Sequence, residues 1–180
     1  MRGDLSELEP IGEGVVYGPD TGYIMLHLPQ LALPDTVTVD GLPFSVKSEF
    51  HCSLLNARRL LGGQNGDREK EIVASVASHL AVKGVALEGY RGDLYHCIRE
   101  EGAARQSIIG MVSLRGIDEL YKHLRGVFDR NLPSPVPHVT LYTYASQFGI
   151  GVPNERALAD YCRPLGGPVA DAIRPILLST

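Results

Sequence analysis

Two short stretches carry side chains able to move protons and hold charge: His51-Cys52-Ser53-Leu54 and His138-Val139-Thr140-Leu141. In each, a histidine stands two positions before a hydroxyl residue, inside a run that reads as a β-strand. Strand side chains alternate between faces, so the histidine and the hydroxyl of each tetrad point the same way. Histidine titrates near neutral pH, and a pair can therefore supply one neutral base and one charged acid. Opening a phosphodiester with water needs both. One group takes a proton from the attacking oxygen and the other gives one to the leaving oxygen, each transfer being worth about 10²–10⁴-fold. Hydroxyls such as Ser53 and Thr140 can donate to the non-bridging phosphate oxygens. The scheme requires no metal and no cofactor. One H-x-[ST] is expected roughly once by chance in a chain with six histidines. Two copies, each followed by leucine, are much rarer.

Other readings of the same residues are weaker. Zinc held by His51 and His138 needs three or four ligands; His96 and Cys97 are available, but no H-E-x-x-H or C-x-x-C spacing accompanies them. Cys52 as a nucleophile fails on direction, because neighbouring strand residues face opposite sides. Tyr142 and Tyr144 fall in the strand phase of His138 and Thr140, which predicts that they line the cleft. Tyr90 and Tyr95 are further candidates for stacking on a base, with core packing as the alternative for all four. Arg105, just ahead of a strand, is a candidate phosphate partner, against the plainer reading of a solvated arginine. The stretch Gly62 to Gly66 lacks Lys-[ST] and is not a phosphate-binding P-loop.

The elements that must position these groups follow from periodicity. Residues 1–20 read as a peripheral polar lead-in with turns at Gly12, Gly14, Gly18 and Pro19. Strands are predicted over Tyr23 to Leu28, Thr36 to Val39 (ended by an Asp40-Gly41 turn), Glu49 to Leu55, Leu94 to Ile98, Ser107 to Leu114 and His138 to Tyr144. Within Glu49 to Leu55, Phe50, Cys52 and Leu54 share one face and His51 and Ser53 the other. Asp67 is a candidate cap for a helix carrying Ile72, Val73, Val76 and Leu80, stopped at Gly84. Ile117, Leu120, Tyr121, Leu124, Val127 and Phe128 form the apolar stripe of a second helix. Pro133, Pro135 and Pro137 make a stiff approach to His138. A short helix near Asn154 to Tyr161 and a last strand near Ile173 to Leu178 complete an α+β chain, one domain over residues 1–180.

Composition narrows the partners. With 44% hydrophobic residues, the 180-residue chain can bury a core. A net charge of −4 argues against gripping long duplex nucleic acid, which calls for a basic face. A small nucleotide or an RNA terminus suits the charge better. The polar N-terminus has no signal-peptide pattern, no apolar run reaches membrane-spanning length, and no membrane partner is expected. The three cysteines, Cys52, Cys97 and Cys162, are odd in number and lack a C-x-x-C pair; they are expected to be reduced thiols in a cytoplasmic protein. Nothing in the chain reports an oligomeric state.

The paired tetrads resemble those of the two-histidine (2H) phosphoesterase superfamily, which includes bacterial RNA 2',3'-cyclic phosphodiesterases, also called 2'-5' RNA ligases. The second copy, with its proline-rich approach and the run Pro-His-Val-Thr-Leu-Tyr, is the more typical. The first departs in having Cys52 and Ser53. The resemblance implies a bilobal α+β fold, with two similar antiparallel-sheet lobes and flanking helices around a cleft. It also implies that His51 and His138 divide the acid and base roles, with Ser53 and Thr140 on the phosphate. The expected activity is hydrolysis of a 2',3'-cyclic phosphate or a 2'-5' linkage on an RNA end or small nucleotide. The alternative is a nucleotide- or RNA-binding domain that keeps the fold without turnover. The lean is towards His138 as the base and His51 as the acid.

Overall fold

The computed structural model describes residues 8–60, 66–99 and 105–180. The stretch Gly62 to Asn65 and the first seven residues, about which the sequence raised expectations, lie outside the described residues. Among the described residues the chain is α+β, with five helices and a ten-stranded antiparallel sheet. It divides into two compact units: residues 1–27, 53–86 and 114–134, and residues 28–52, 87–113 and 135–180.

In the first unit, β1 (Glu9–Gly12), β2 (Val15–Gly18) and β3 (Tyr23–His27) form a meander, with Tyr17 paired to Ile24 and Val15 to Leu26. This corrects the reading of residues 1–20 as a peripheral lead-in, since Val15 and Tyr17 are core residues. The unit also holds β6 (His51–Asn56) from Ser53 onward, α1 (Ala57–Leu60), α2 (Gly66–Val82) and α3 (Ile117–Val127). Asp67 lies in the first turn of α2 rather than ahead of it. The predicted stripes are the buried ones: Ile72, Val76 and Leu80 on α2, and Ile117, Leu120, Tyr121 and Leu124 on α3. Val127, at the end of the second stripe, is exposed. Tyr121 donates to the Leu54 carbonyl at 2.8 Å, and Tyr17 donates to Glu69 at 2.6 Å. Gly116 has φ +82°, and a Cβ there would strike the carbonyl oxygen of Gly84, so only glycine fits between the α2 terminus and α3.

In the second unit, β9 (His138–Tyr144) is the central strand. β8 (Arg105–Arg115) pairs along one edge, followed by β7 (Ala86–Arg99) and β10 (Cys162–Pro164). Along the other edge run β5 (Leu42–Val46), itself paired to β4 (Thr36–Val39), and then the start of β6. α5 (Gly167–Leu178) lies on one face, where Leu177, with Leu94 and Leu141, lies within 4 Å of where a Cβ on Gly110 would sit. On the other face Ile109, Met111, Val136, Ile150, Val152 and Cys97 form an apolar cluster with Ala157 of α4 (Glu155–Tyr161). Asn154 caps α4 by accepting from the Ala157 N–H at 3.0 Å.

Two expectations fail here. The segment Ile173 to Leu178 is helix, not strand. Its buried residues Ala170, Ile173 and Leu177 follow a helical period, and Pro175 sits on an exposed side. Cys97 and Cys162 form a disulfide across the β7–β10 pair, which leaves Cys52 outside any disulfide, and the reduced-thiol argument for a cytoplasmic setting loses its basis. Among the described residues no helix is long and apolar enough to cross a membrane.

Candidate active site

His138 opens β9 after the proline-rich approach. The Pro137 carbonyl accepts from Val112 N–H at 3.2 Å, which docks the approach on β8. The next carbonyl back, that of Val136, lies 2.7 Å from Nδ1 of His138. A carbonyl only accepts, so Nδ1 carries the proton and Nε2 is left with its lone pair. Burial pushes the His138 pKa below the ordinary histidine value, and the Val136 hydrogen bond offsets this only in part. A neutral imidazole with a fixed tautomer is the form a general base needs.

Cys52 of β6 pairs with Val139 of β9, antiparallel. Carrying that register one residue further sets His51 across from Thr140, with His138 on the diagonal. Residues directly opposite share a face, and diagonal Cβ atoms on one face lie roughly 7–8 Å apart. By strand alternation from this register, His51, His138 and Thr140 fall on one side of the sheet. His51 and Thr140 are half-buried, and His138 is 9% exposed. Ser53 is also half-buried and lies on the His51 side of β6 by strand alternation. Cys52 faces away into the core, where burial raises its thiol pKa to about 12; it is no nucleophile.

The floor of this face comes from β8. Ile109 pairs with Thr140 and Met111 with His138, and both belong to the cluster that contains Cys97. The rim is a loop after β9. Gly149 packs so closely on Thr140 that a Cβ there would collide with Oγ1. Ile150 N–H donates to Ser107 Oγ at 3.0 Å, holding the loop to β8.

Tyr142 and Tyr144 do not line this face. Between Ile108↔Tyr142 and Ile109↔Thr140, β9 advances two residues while β8 advances one. This β-bulge at Leu141 reverses the alternation. Tyr144 therefore packs on Phe44, with ring centroids 5.7 Å apart, and Phe44 in turn meets His96 edge-on. Tyr142 is fully buried, and among the described residues its hydroxyl has no hydrogen-bond partner. Tyr90 is likewise buried, and Tyr95 packs against the apolar cluster, so neither is a stacking platform. Arg105 shares its side of β8 with Ser107 and Ile109, but four residues of strand put it about 13 Å from the level of Thr140. It can meet only a distal part of a substrate.

The zinc candidates are otherwise engaged. Cys97 is in the disulfide. His96 faces the opposite side of β7, with Nε2 2.6 Å from Gln106 Oε1 and Nδ1 3.2 Å from Arg163, which is ion-paired to Asp40. Among the described residues no group of three or more histidine, cysteine, aspartate or glutamate side chains is arranged to hold a metal.

One cation went unnoticed in the sequence. The chain leaves β5 at Val46, paired to Tyr142, and rejoins β9 through β6. In between, Lys47 N–H donates to the Leu141 carbonyl at 2.9 Å, and its ammonium donates to the Gln147 carbonyl at 2.6 Å. Burial lowers the Lys47 pKa, with Glu49 acting in the other direction. No motif marks this lysine, because the pairing that brings it to Leu141 is long-range. Compared with known proteins, the chain matches no family model, no curated protein and no solved structure.

Proposed function

We propose that this protein is a metal-independent phosphodiesterase that opens a 2',3'-cyclic phosphate, or cleaves a 2'-5' linkage, on a small nucleotide or an RNA end. The observation that supports this reading is the antiparallel pairing of Cys52 with Val139, from which strand alternation assigns His51, His138 and Thr140 a common face. In the proposed reaction, His138 Nε2 takes a proton from water and the water oxygen attacks phosphorus. The bond from phosphorus to a ribose oxygen breaks, and protonated His51 gives that oxygen its proton. The product is a phosphomonoester beside a free hydroxyl. Thr140 and Ser53 donate to the non-bridging oxygens as charge builds there. The fixed tautomer of His138 supports the base role for that residue. The two-lobed cleft that the 2H resemblance implies belongs to this proposal as well.

The test is turnover of a 2',3'-cyclic nucleotide, a 2'-5' linked dinucleotide and a 3',5'-cyclic nucleotide, with and without chelator. Turnover by the wild type, lost in folded His51→Ala and His138→Ala, supports the proposal. Undiminished activity in either variant overturns it. Binding without turnover in the wild type would replace the enzyme with a nucleotide-binding domain.

A further inference from the structure

Phe148 is 69% exposed, although its loop is held in place. On one side the Lys47 ammonium donates to the carbonyl of Gln147, and Phe148 N–H donates to Ser146 Oγ at 3.0 Å. On the other side Gly149 sits against Thr140, and Ile150 and Val152 are buried in the apolar cluster. Most of the ring's surface is left in water while the loop that carries it is hydrogen-bonded on both sides. Its neighbour Gly149 touches the hydroxyl assigned to the phosphate, and adjacent Cα atoms are about 3.8 Å apart. A group attached to a phosphate at Thr140 therefore comes within reach of this ring. The tyrosines expected to serve as platforms are buried or packed elsewhere, so the face has a phosphate end and, at Phe148, an exposed aromatic beside it.

We infer that Phe148 is the nucleobase platform of the site. It stacks on the base of the substrate and makes the enzyme selective for nucleoside phosphates over sugar phosphates. Lys47 is a positioning residue that holds the loop by Gln147. This inference rests on the proposed phosphodiesterase activity and specifies the substrate for it. Base–aromatic stacking tolerates any base, because every base has a π-face. Selectivity should therefore follow stacking area rather than hydrogen-bonding pattern, with purines ahead of pyrimidines.

The experiment compares two cyclic esters, adenosine 2',3'-cyclic phosphate and 1-O-methylribose 2',3'-cyclic phosphate, which lacks the base. The readout is the ratio of their kcat/KM values. The wild type is expected to favour the nucleotide. In Phe148→Ala the ratio should fall roughly 5- to 100-fold, mostly through KM, while Phe148→Trp restores it. Lys47→Met should lower the ratio by a smaller factor. An unchanged ratio in Phe148→Ala, with the wild type turning over both esters, overturns the platform and leaves the phosphodiesterase standing. Failure of the wild type on both esters overturns the activity and the platform with it. Phe148 is exposed, and thermal melts of both Phe148 variants confirm that the fold is kept.

Discussion

The two tetrads have matching residue types and different surroundings. His138 is sunk at the start of a central strand, with one ring nitrogen fixed on the Val136 carbonyl and Met111 beneath it. His51 is half-buried, at the point where the chain rejoins the same strand after a short excursion. The motif supplies two imidazoles, and the surroundings differentiate them. Burial favours the neutral form of the His138 ring, with the Val136 hydrogen bond opposing it in part.

The strongest way to break this comparison is to remove each ring separately. His138→Asn should lower kcat by about 10²–10⁴-fold and abolish the acidic limb of the pH–rate profile. That limb should lie below the ordinary histidine value of 6.5, because the neutral form is active and its pKa is depressed. His51→Asn should cost as much and remove the alkaline limb instead. Loss of the same limb in both variants would end the distinction. Stability gives an independent reading of the same group. As pH falls below 6.5 the unfolded chain takes up the His138 proton first, so unfolding free energy should drop until the folded pKa is passed. Urea titrations of His138→Asn should show a shallower decline.

The next largest effect concerns the bracing beneath His138. The Cys97–Cys162 bond closes 65 residues of chain and lies in the cluster under β9. Replacing both cysteines by alanine should lower unfolding free energy by about 4 kcal/mol on the loop-entropy argument. If the cluster positions His138, kcat should also fall in the reduced wild type.

A smaller effect is expected at the rim. Gly149→Ala must displace Thr140 Oγ1 or the loop, and misplacing a phosphate donor by about 1 Å costs up to 10²-fold. A KM effect without a kcat effect would argue that Thr140 only binds. The smallest effect tests the bulge. Tyr142→Phe should leave kcat within about twofold and raise stability by about 1 kcal/mol, since it deletes a buried hydroxyl with no partner among the described residues. A large loss of activity would return Tyr142 to the site face.

What the sequence made legible was local. The β9 boundaries, the buried part of the α3 stripe and the Asp40-Gly41 turn all follow from short-range periodicity and turn chemistry. What it concealed depends on partners far along the chain. The Leu141 bulge is defined by β8, and the disulfide by a β7–β10 pairing that an odd cysteine count disguises. The α5 segment Ile173 to Leu178 is dense in apolar residues and contains a proline, so a short window favours strand; the helical period emerges only when Ala170 is included. Lys47 and Phe148 gain meaning only from the anchoring of the loop after β9.

The segment Lys47–Phe50 carries a consequence for chain length. It is tethered where Gln30 donates to the Ser48 carbonyl at 2.9 Å and Leu28 N–H to the Phe50 carbonyl at 2.9 Å, and it delivers the chain back to β9 in phase. Deleting one residue there would present the Cys52 thiol where an imidazole stood and turn His51 towards the core. Substitutions at the exposed Ser48 and the half-buried Glu49 should be absorbed readily, while a single-codon deletion should cost stability as well as activity, because Cys52 and Leu54 would leave the core.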